Sequence, residues 1–273
     1  MSAEHRAAVL GQPIEHSLSP VIHNAGYAAA GLGGWAYERI ECSIDRLPGL
    51  IAELGSEWAG LSLTMPLKEA GLTVADEVAA TAAALGACNT LVRLPSGGWR
   101  AENTDAPGMV DALGWAGITS ARRVAILGAG GTARAALAAA GELKAAVIEV
   151  HARRAVAVDE LRPVAESLGL PELIHVPWPS PEQVAGADVV VSTLPFGVAD
   201  ELVVPWRPET VVFDAVYKPW PTPLAGSAAA AGCRIVSGLD LLLAQAVHQF
   251  EMFTGVSAPV DAMRTALFAA AAA

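Results

Sequence analysis

Arg123-Val124-Ala125-Ile126-Leu127-Gly128-Ala129-Gly130-Gly131-Thr132-Ala133 is the stretch on which the fold turns. A short apolar run leads into a cluster of glycines, and an Ala-rich run of helical character follows. This reads as strand, turn and helix. The spacing is G-x-G-x-x-A. Gly128 permits the tight turn, Gly130 lets a pyrophosphate approach the backbone, and Ala133 is small enough for the helix to pack on the strand. Gly128, Ala129, Gly130, Gly131 and Thr132 are therefore candidates for phosphate binding through backbone N–H groups and the helix N-terminus.

Moving C-terminally, the next strand is expected over Ala146 to His151, leading into Ala152-Arg153-Arg154. A site for NAD would place a carboxylate at that strand's end, where it accepts hydrogen bonds from the ribose hydroxyls. Glu149 lies before the end and reads as a polar face residue. A guanidinium offers paired donors that suit phosphate oxygens, so Arg153 and Arg154 favour the 2′-phosphate of NADP. A further buried strand, Asp188 to Val191, ends in Ser192-Thr193-Leu194-Pro195-Phe196-Gly197. That segment reads as the Rossmann edge beside the nicotinamide ribose, or as an ordinary strand-ending turn.

On the N-terminal side, Ala7 to Leu10 reads as a strand and Gly11 to Pro20 as a loop. A helix begins near Pro20, with Ser19 as its N-cap and Val21, Ile22, Ala25 and Ala29 at helical spacing. A strand is expected around Tyr37 to Ile40, a helix around Leu47 to Leu54, and a strand at Leu61 to Thr64 before Met65-Pro66. Strands alternating with helices imply a layered α/β domain. The 273 residues are enough for two such domains.

With 53% hydrophobic and 16% charged residues, the chain lies far from disordered compositions. Its net charge of −11 argues against nucleic acid or an anionic membrane as partner, so an anionic ligand must be met by local design. Met1 to Leu10 carries Glu4, His5 and Arg6 and lacks a long apolar core. The apolar stretches near Ala135 and Ala266 are short. A cytoplasmic protein is expected. Cys42, Cys88 and Cys233 are isolated and read as buried packing, and the six histidines show no ligand spacing, so no metal is expected.

The chain resembles the shikimate dehydrogenase family nearly end to end. The resemblance is carried by Gly11-Gln12-Pro13-Ile14-Glu15-His16-Ser17-Leu18-Ser19-Pro20-Val21-Ile22-His23-Asn24, Thr64-Met65-Pro66-Leu67-Lys68, Gly86-Ala87-Cys88-Asn89-Thr90 and Asn103-Thr104-Asp105, then the glycine turn. Asp214-Ala215-Val216-Tyr217-Lys218-Pro219, Thr222-Pro223-Leu224 and Gln245-Ala246 follow in the same order. It implies a two-domain α/β protein, with an N-terminal α/β substrate-binding and catalytic domain over 1–104 completed by C-terminal helices over 239–273, and a Rossmann NADP-binding domain over 105–238. The activity it implies is reversible NADPH-dependent reduction of 3-dehydroshikimate to shikimate, in chorismate and aromatic amino-acid biosynthesis. The small-molecule substrate would be handled by a monomer or homodimer.

By the same resemblance, Ser17 and Ser19, assisted by Tyr217, take the substrate carboxylate. Thr64, Asn89, Asp105 and Gln245, with Lys68, surround the carboxylate and ring hydroxyls. Ala215 and Gly238 fall at the cofactor, Gly238 as a backbone neighbour of the nicotinamide. Taken singly, Ser19 is a helix cap, Asn89 a turn residue and Gln245 a solvated helix residue. Three positions depart from the family: Ser62 replaces an Asn, Ala152-Arg153-Arg154 stands where Asn-Arg-Thr is common, and Asp240 replaces a second glycine.

The chemistry requires a group that takes the alcohol proton while a hydride leaves the same carbon. Lys68 is the candidate base. Asp105 either orients the lysine or shares its proton, and the sequence leaves that choice open. Two other readings remain: a quinate/shikimate dehydrogenase using NAD, and a non-catalytic NADP-binding sensor on the same fold.

Overall fold

A computed structural model of the chain describes residues 4–272, so Met1 to Ala3 of the N-terminal stretch read above, and Ala273, lie outside the described residues. The chain divides into two compact units, Met1–Gly108 with Leu242–Ala273, and Met109–Leu241.

In the first unit six strands form one sheet: β1 His5–Gly11, β2 Trp35–Glu41, β3 Trp58–Leu63, β4 Glu77–Val78, β5 Thr90–Arg93 and β6 Trp99–Glu102. Their spatial order is β2-β1-β3-β5-β6-β4. β1 pairs in parallel with both β2 and β3, whereas β5 runs antiparallel to β3 and β6. A helix at Ser19–Ala29 supplies the crossover from β1 to its parallel neighbour β2, a connection too long for a hairpin. Leu10, Leu61 and Leu91, fully buried, share one core with Leu47, Leu67 and Trp99.

The second unit carries a six-stranded sheet of β7 Arg123–Leu127, β8 Val147–Ala152, β9 Ile174–Pro177, β10 Val189–Ser192, β11 Val211–Asp214 and β12 Arg234–Ser237. Every pairing in it is parallel, in the order β12-β11-β10-β7-β8-β9. Numbered from β7, this is the doubly wound order of a dinucleotide-binding sheet, whose direction of winding reverses between β7 and β10. The strands read as near-continuous apolar runs because both faces of a parallel sheet are covered. Val190 and Val212 are fully buried accordingly.

Three readings of the sequence are corrected here. Leu18, not Ser19, is the N-cap of the Ser19–Ala29 helix, and no side chain caps it through Leu18. Ser17 Oγ instead accepts the Ser19 N–H at 3.3 Å, so the hydroxyl two residues earlier serves the first turn. Glu149 is no solvent-facing residue: it is 6% exposed on an interior strand and reaches Arg123 Nη1 at 3.2 Å. β10 lies between β11 and β7, so Ser192 and Thr193 sit at the carboxyl end of an interior strand rather than at the sheet's edge.

Candidate active site

In the first unit the segment after β3 is a tight turn. Leu67 N–H donates to the Thr64 carbonyl at 2.8 Å, and Thr64 N–H to the Leu10 carbonyl at 2.9 Å. Leu67 is fully buried and anchors the turn in the core, which leaves Lys68 half-buried with its carbonyl held by the Cys88 N–H. Asp105 opens the helix Asp105–Trp115, whose first N–H groups donate to the Asn103 side chain at 3.1 and 3.2 Å. Two elements distant in sequence thus deliver an amine and a carboxylate to one place. Lys68 Nζ lies 2.5 Å from Asp105 Oδ2.

The other carboxylate oxygen, Oδ1, accepts from Asn89 Nδ2 at 2.8 Å. Asn89 is 2% exposed, and its Oδ1 accepts from the Thr104 N–H at 2.7 Å and the Thr90 hydroxyl at 3.0 Å. It is therefore a buried link in a polar cluster, not an ordinary turn residue. A buried amide must fill all of its hydrogen-bonding positions.

Ser17 and Ser19 stand together, their hydroxyl oxygens 3.3 Å apart. The Ser17 carbonyl receives Arg39 Nε at 2.9 Å and Nη2 at 2.5 Å. Gln245, on the helix Gly238–Thr254, is 7% exposed rather than solvated, and the helix approaches so closely there that a Cβ on Gly108 would lie 2.8 Å from the Gln245 nitrogen. Its Nε2 donates to the Leu242 carbonyl at 2.7 Å.

In the second unit Gly128 has φ of +98°, a conformation that L side chains rarely adopt, and its N–H donates to the His151 carbonyl at 2.9 Å. Gly130 is the N-cap of the helix Gly131–Glu142, with no side-chain cap. A Cβ at Gly130 or Gly131 would meet nothing within 4 Å, and both are exposed, so the first turn of the helix is open to an anion. Thr132 follows in that turn. Ala133 is fully buried, as close packing of helix on strand requires.

Thr193 closes on the same turn from β10: its Oγ1 donates to the Leu127 carbonyl at 2.9 Å and would lie 2.7 Å from a Cβ on Gly128. Ser192 is buried beside it. Ala152 ends β8, and Arg153 and Arg154 follow, both exposed. No carboxylate takes their place at the strand's end, and these residues fit a 2′-phosphorylated dinucleotide. Ala215, Tyr217 and Gly238 also meet, since a Cβ on Gly238 would fall 2.1 Å from the Ala215 oxygen and 3.1 Å from Tyr217 Cδ1. Asp240 is a first-turn acid, and its Oδ2 accepts the Ser237 N–H at 2.9 Å and hydroxyl at 2.7 Å, a capping arrangement that holds the helix start.

Tyr37, Gln249 and Arg39 escaped the sequence reading as site residues, and Ser62 entered it only as a departure from the family. Gln249 did leave a trace, one helical turn beyond Gln245 in an otherwise largely apolar helix. Among the described residues no group of three or more His, Cys, Asp or Glu could hold a metal ion, and no helix is long and apolar enough to cross a membrane.

A doubly wound parallel sheet with a glycine turn at its reversal point is the architecture of a dinucleotide-dependent dehydrogenase. The profile of the shikimate dehydrogenase substrate binding domain matches residues 9–91, and that of the shikimate 5'-dehydrogenase C-terminal domain residues 238–268. The NADP(+) shikimate dehydrogenase of Desulfitobacterium hafniense is 35% identical, covering 97% of this chain and 98% of its own. The solved shikimate dehydrogenase of Mycobacterium tuberculosis superposes with a TM-score of 0.88 at 45% identity, over 97% of this chain and 99% of that one. The Thermus thermophilus enzyme, solved with NADP(H) and shikimate, gives 0.84 at 32% identity over 97% and 99%. The chain belongs to the shikimate dehydrogenase family.

Proposed function

We propose that the protein is an NADP-dependent shikimate dehydrogenase, catalysing the reversible reduction of 3-dehydroshikimate to shikimate in chorismate and aromatic amino-acid biosynthesis. The 2.5 Å contact of Lys68 Nζ with Asp105 Oδ2 carries this reading, because alcohol oxidation needs a held proton acceptor and this pair offers one. The reading divides the chain into a substrate-binding and catalytic domain over 1–104 with 239–273, and a Rossmann domain over 105–238. It has the protein working in the cytoplasm as a monomer or homodimer, with no nucleic-acid partner.

NADP, when bound, supplies the two-electron carrier. At the turn that Gly128 makes, Ala129, Gly130, Gly131 and Thr132 would receive its pyrophosphate on backbone N–H groups, and Arg153 and Arg154, after Ala152, would pair with the 2′-phosphate. Ser192, Thr193, Ala215 and Gly238 line the remainder of that site. Ser17, Ser19 and Tyr217 donate to the substrate carboxylate, while Thr64, Asn89 and Gln245 hydrogen-bond its polar groups as they lose water. On oxidation, the proton of the reacting hydroxyl passes to the Lys68–Asp105 pair as the C–H electron pair leaves the same carbon. On reduction the pair returns that proton to the forming alkoxide.

Mixing the protein with shikimate or quinate, each with NADP or NAD, and following absorbance of the reduced nicotinamide tests this reading. Formation of NADPH from shikimate is the expected result. Turnover confined to quinate with NAD, or cofactor binding without turnover of any acid, would overturn it.

A further inference from the structure

A buried run of hydrogen bonds reaches the Lys68–Asp105 pair from the far side of Asn89. The Tyr37 hydroxyl donates to Ser62 Oγ at 2.6 Å, and Ser62 Oγ donates to Gln249 Oε1 at 2.7 Å. Gln249 Nε2 donates to Thr90 Oγ1 at 2.9 Å and to the Asn89 carbonyl at 3.3 Å. Thr90 Oγ1 then donates to Asn89 Oδ1, and Asn89 Nδ2 to Asp105. Ser62 and Thr90 are register partners on β3 and β5, so both hydroxyls stand at one place where the single amide of Gln249 bridges them. Gln249 is 1% exposed and Thr90 fully buried.

The direction of this run is fixed at its ends. A backbone carbonyl only accepts, so the Asn89 carbonyl orients Gln249 with its NH₂ toward Thr90. That NH₂ occupies the Thr90 oxygen as a donor, which leaves the Thr90 proton for Asn89 Oδ1. An accepting Oδ1 on that side, which also takes the Thr104 N–H at 2.7 Å, places the Asn89 NH₂ against Asp105. Turned over, the Asn89 amide would present an oxygen to the carboxylate and repel it.

We propose that Gln249 is a positioning residue for the Lys68–Asp105 pair, reinforcing through Thr90 and the Asn89 carbonyl the orientation of the Asn89 amide that the Thr104 N–H also demands and that holds Asp105. The proposal rests on the catalytic assignment above. Ser62 belongs to the same device: its hydroxyl fills the accepting side of Gln249 and is itself held by Tyr37.

Two variants test it, read beside the wild type. Gln249→Met keeps the volume and removes both hydrogen-bonding functions. Its kcat for shikimate oxidation should fall by about 10- to 100-fold from misplacement of the pair, with KM for NADP unchanged. Gln249→Glu keeps an O–H donor for Thr90 while its carboxyl is protonated and loses it on ionisation. Its kcat should stand near wild type at low pH and fall below it as pH rises.

The titratable groups facing this position are His23 of the Ser19–Ala29 helix and Tyr37 of β2. In the wild type burial holds His23 neutral down to about pH 3, against a hydrogen bond with Gln249 that raises it, and pushes the Tyr37 phenol up, so neither shapes the wild-type profile across the assay range. Wild-type kcat and an unaltered pH profile in Gln249→Glu, with the wild-type enzyme active on shikimate, would overturn the proposal and leave the function standing. Should the wild type prove inactive, the function fails instead, and a crystal structure of either variant decides: Asn89 turned away from Asp105 supports the role of Gln249, and an unchanged Asn89–Asp105 bond refutes it. If Gln249→Met does not fold, Gln249→Glu alone supplies both readouts.

Discussion

Asp105 receives Lys68 on one carboxylate oxygen at 2.5 Å and Asn89 on the other at 2.8 Å, so the carboxylate cannot rotate without breaking one contact. Replacing it by Asn preserves the shape and removes the charge that anchors the amine. Asp105→Asn should lower kcat for shikimate oxidation by about 10²-fold or more, in the range of a lost proton-transfer group. NADP affinity, measured by fluorescence titration, should stay at the wild-type value.

Arg39 holds the Ser17 carbonyl through two donors and thereby fixes the loop that presents both serine hydroxyls. Arg39→Ala releases that loop. The loss of charge-assisted hydrogen bonds at about 1.5–3 kcal/mol corresponds to an increase of about 10- to 100-fold in KM for shikimate. Because Arg39 has no contact with Lys68 or Asp105 in the cluster described above, kcat at saturation should hold, and steady-state kinetics separates the two.

Arg153 and Arg154 follow the end of β8 where an NAD enzyme would carry a carboxylate. The double variant Arg153→Ser, Arg154→Ser should lose about 10- to 100-fold in kcat/KM with NADP, by the same measure of charge-assisted contacts to a phosphate. With NAD, which lacks the 2′-phosphate, the rate should change little. An equal loss with both cofactors would assign the arginines to the fold rather than to cofactor choice.

His23 is fully buried, its ring stacked on Tyr37 at a centroid distance of 4.1 Å, and burial lowers its pKa from 6.5 to about 3. Burial, with a smaller contribution from nearby His175, likewise lowers His151 to about 4. Below pH 6.5 the unfolded chain binds protons at these positions that the folded chain refuses, so stability rises with pH through this window and falls on acidification toward pH 4. His23→Phe removes one of these groups and should flatten the slope of unfolding free energy against pH between 6.5 and 4, as read by urea denaturation. A slope unchanged from wild type would exclude His23 as a source.

Much of this was legible along the chain. β7 spans the residues read as a strand, and Gly128 takes the left-handed conformation that the glycine spacing implied. Local periodicity and steric demands on glycine carry such information directly. Long-range pairing was less visible: nothing near Val189 says that β10 lies beside β7, and the buried state of Glu149 follows only once both neighbours of its strand are in place. Ser19 was misread because two serines precede Pro20 and either could serve the helix start, and the geometry gives that task to Ser17. Gln249 was missed because a polar side chain on a largely apolar helix reads as surface until the hydroxyls of Ser62 and Thr90 are found facing it.

The central claim is that the Lys68 amine handles the proton of the substrate alcohol. Its most direct test is the rate of NADPH formation from shikimate by Lys68→Ala, with the NADP dissociation constant measured on the same sample. A fall of about 10²-fold or more in rate, at unchanged cofactor affinity, is the predicted result. NADPH production at the wild-type rate would contradict it.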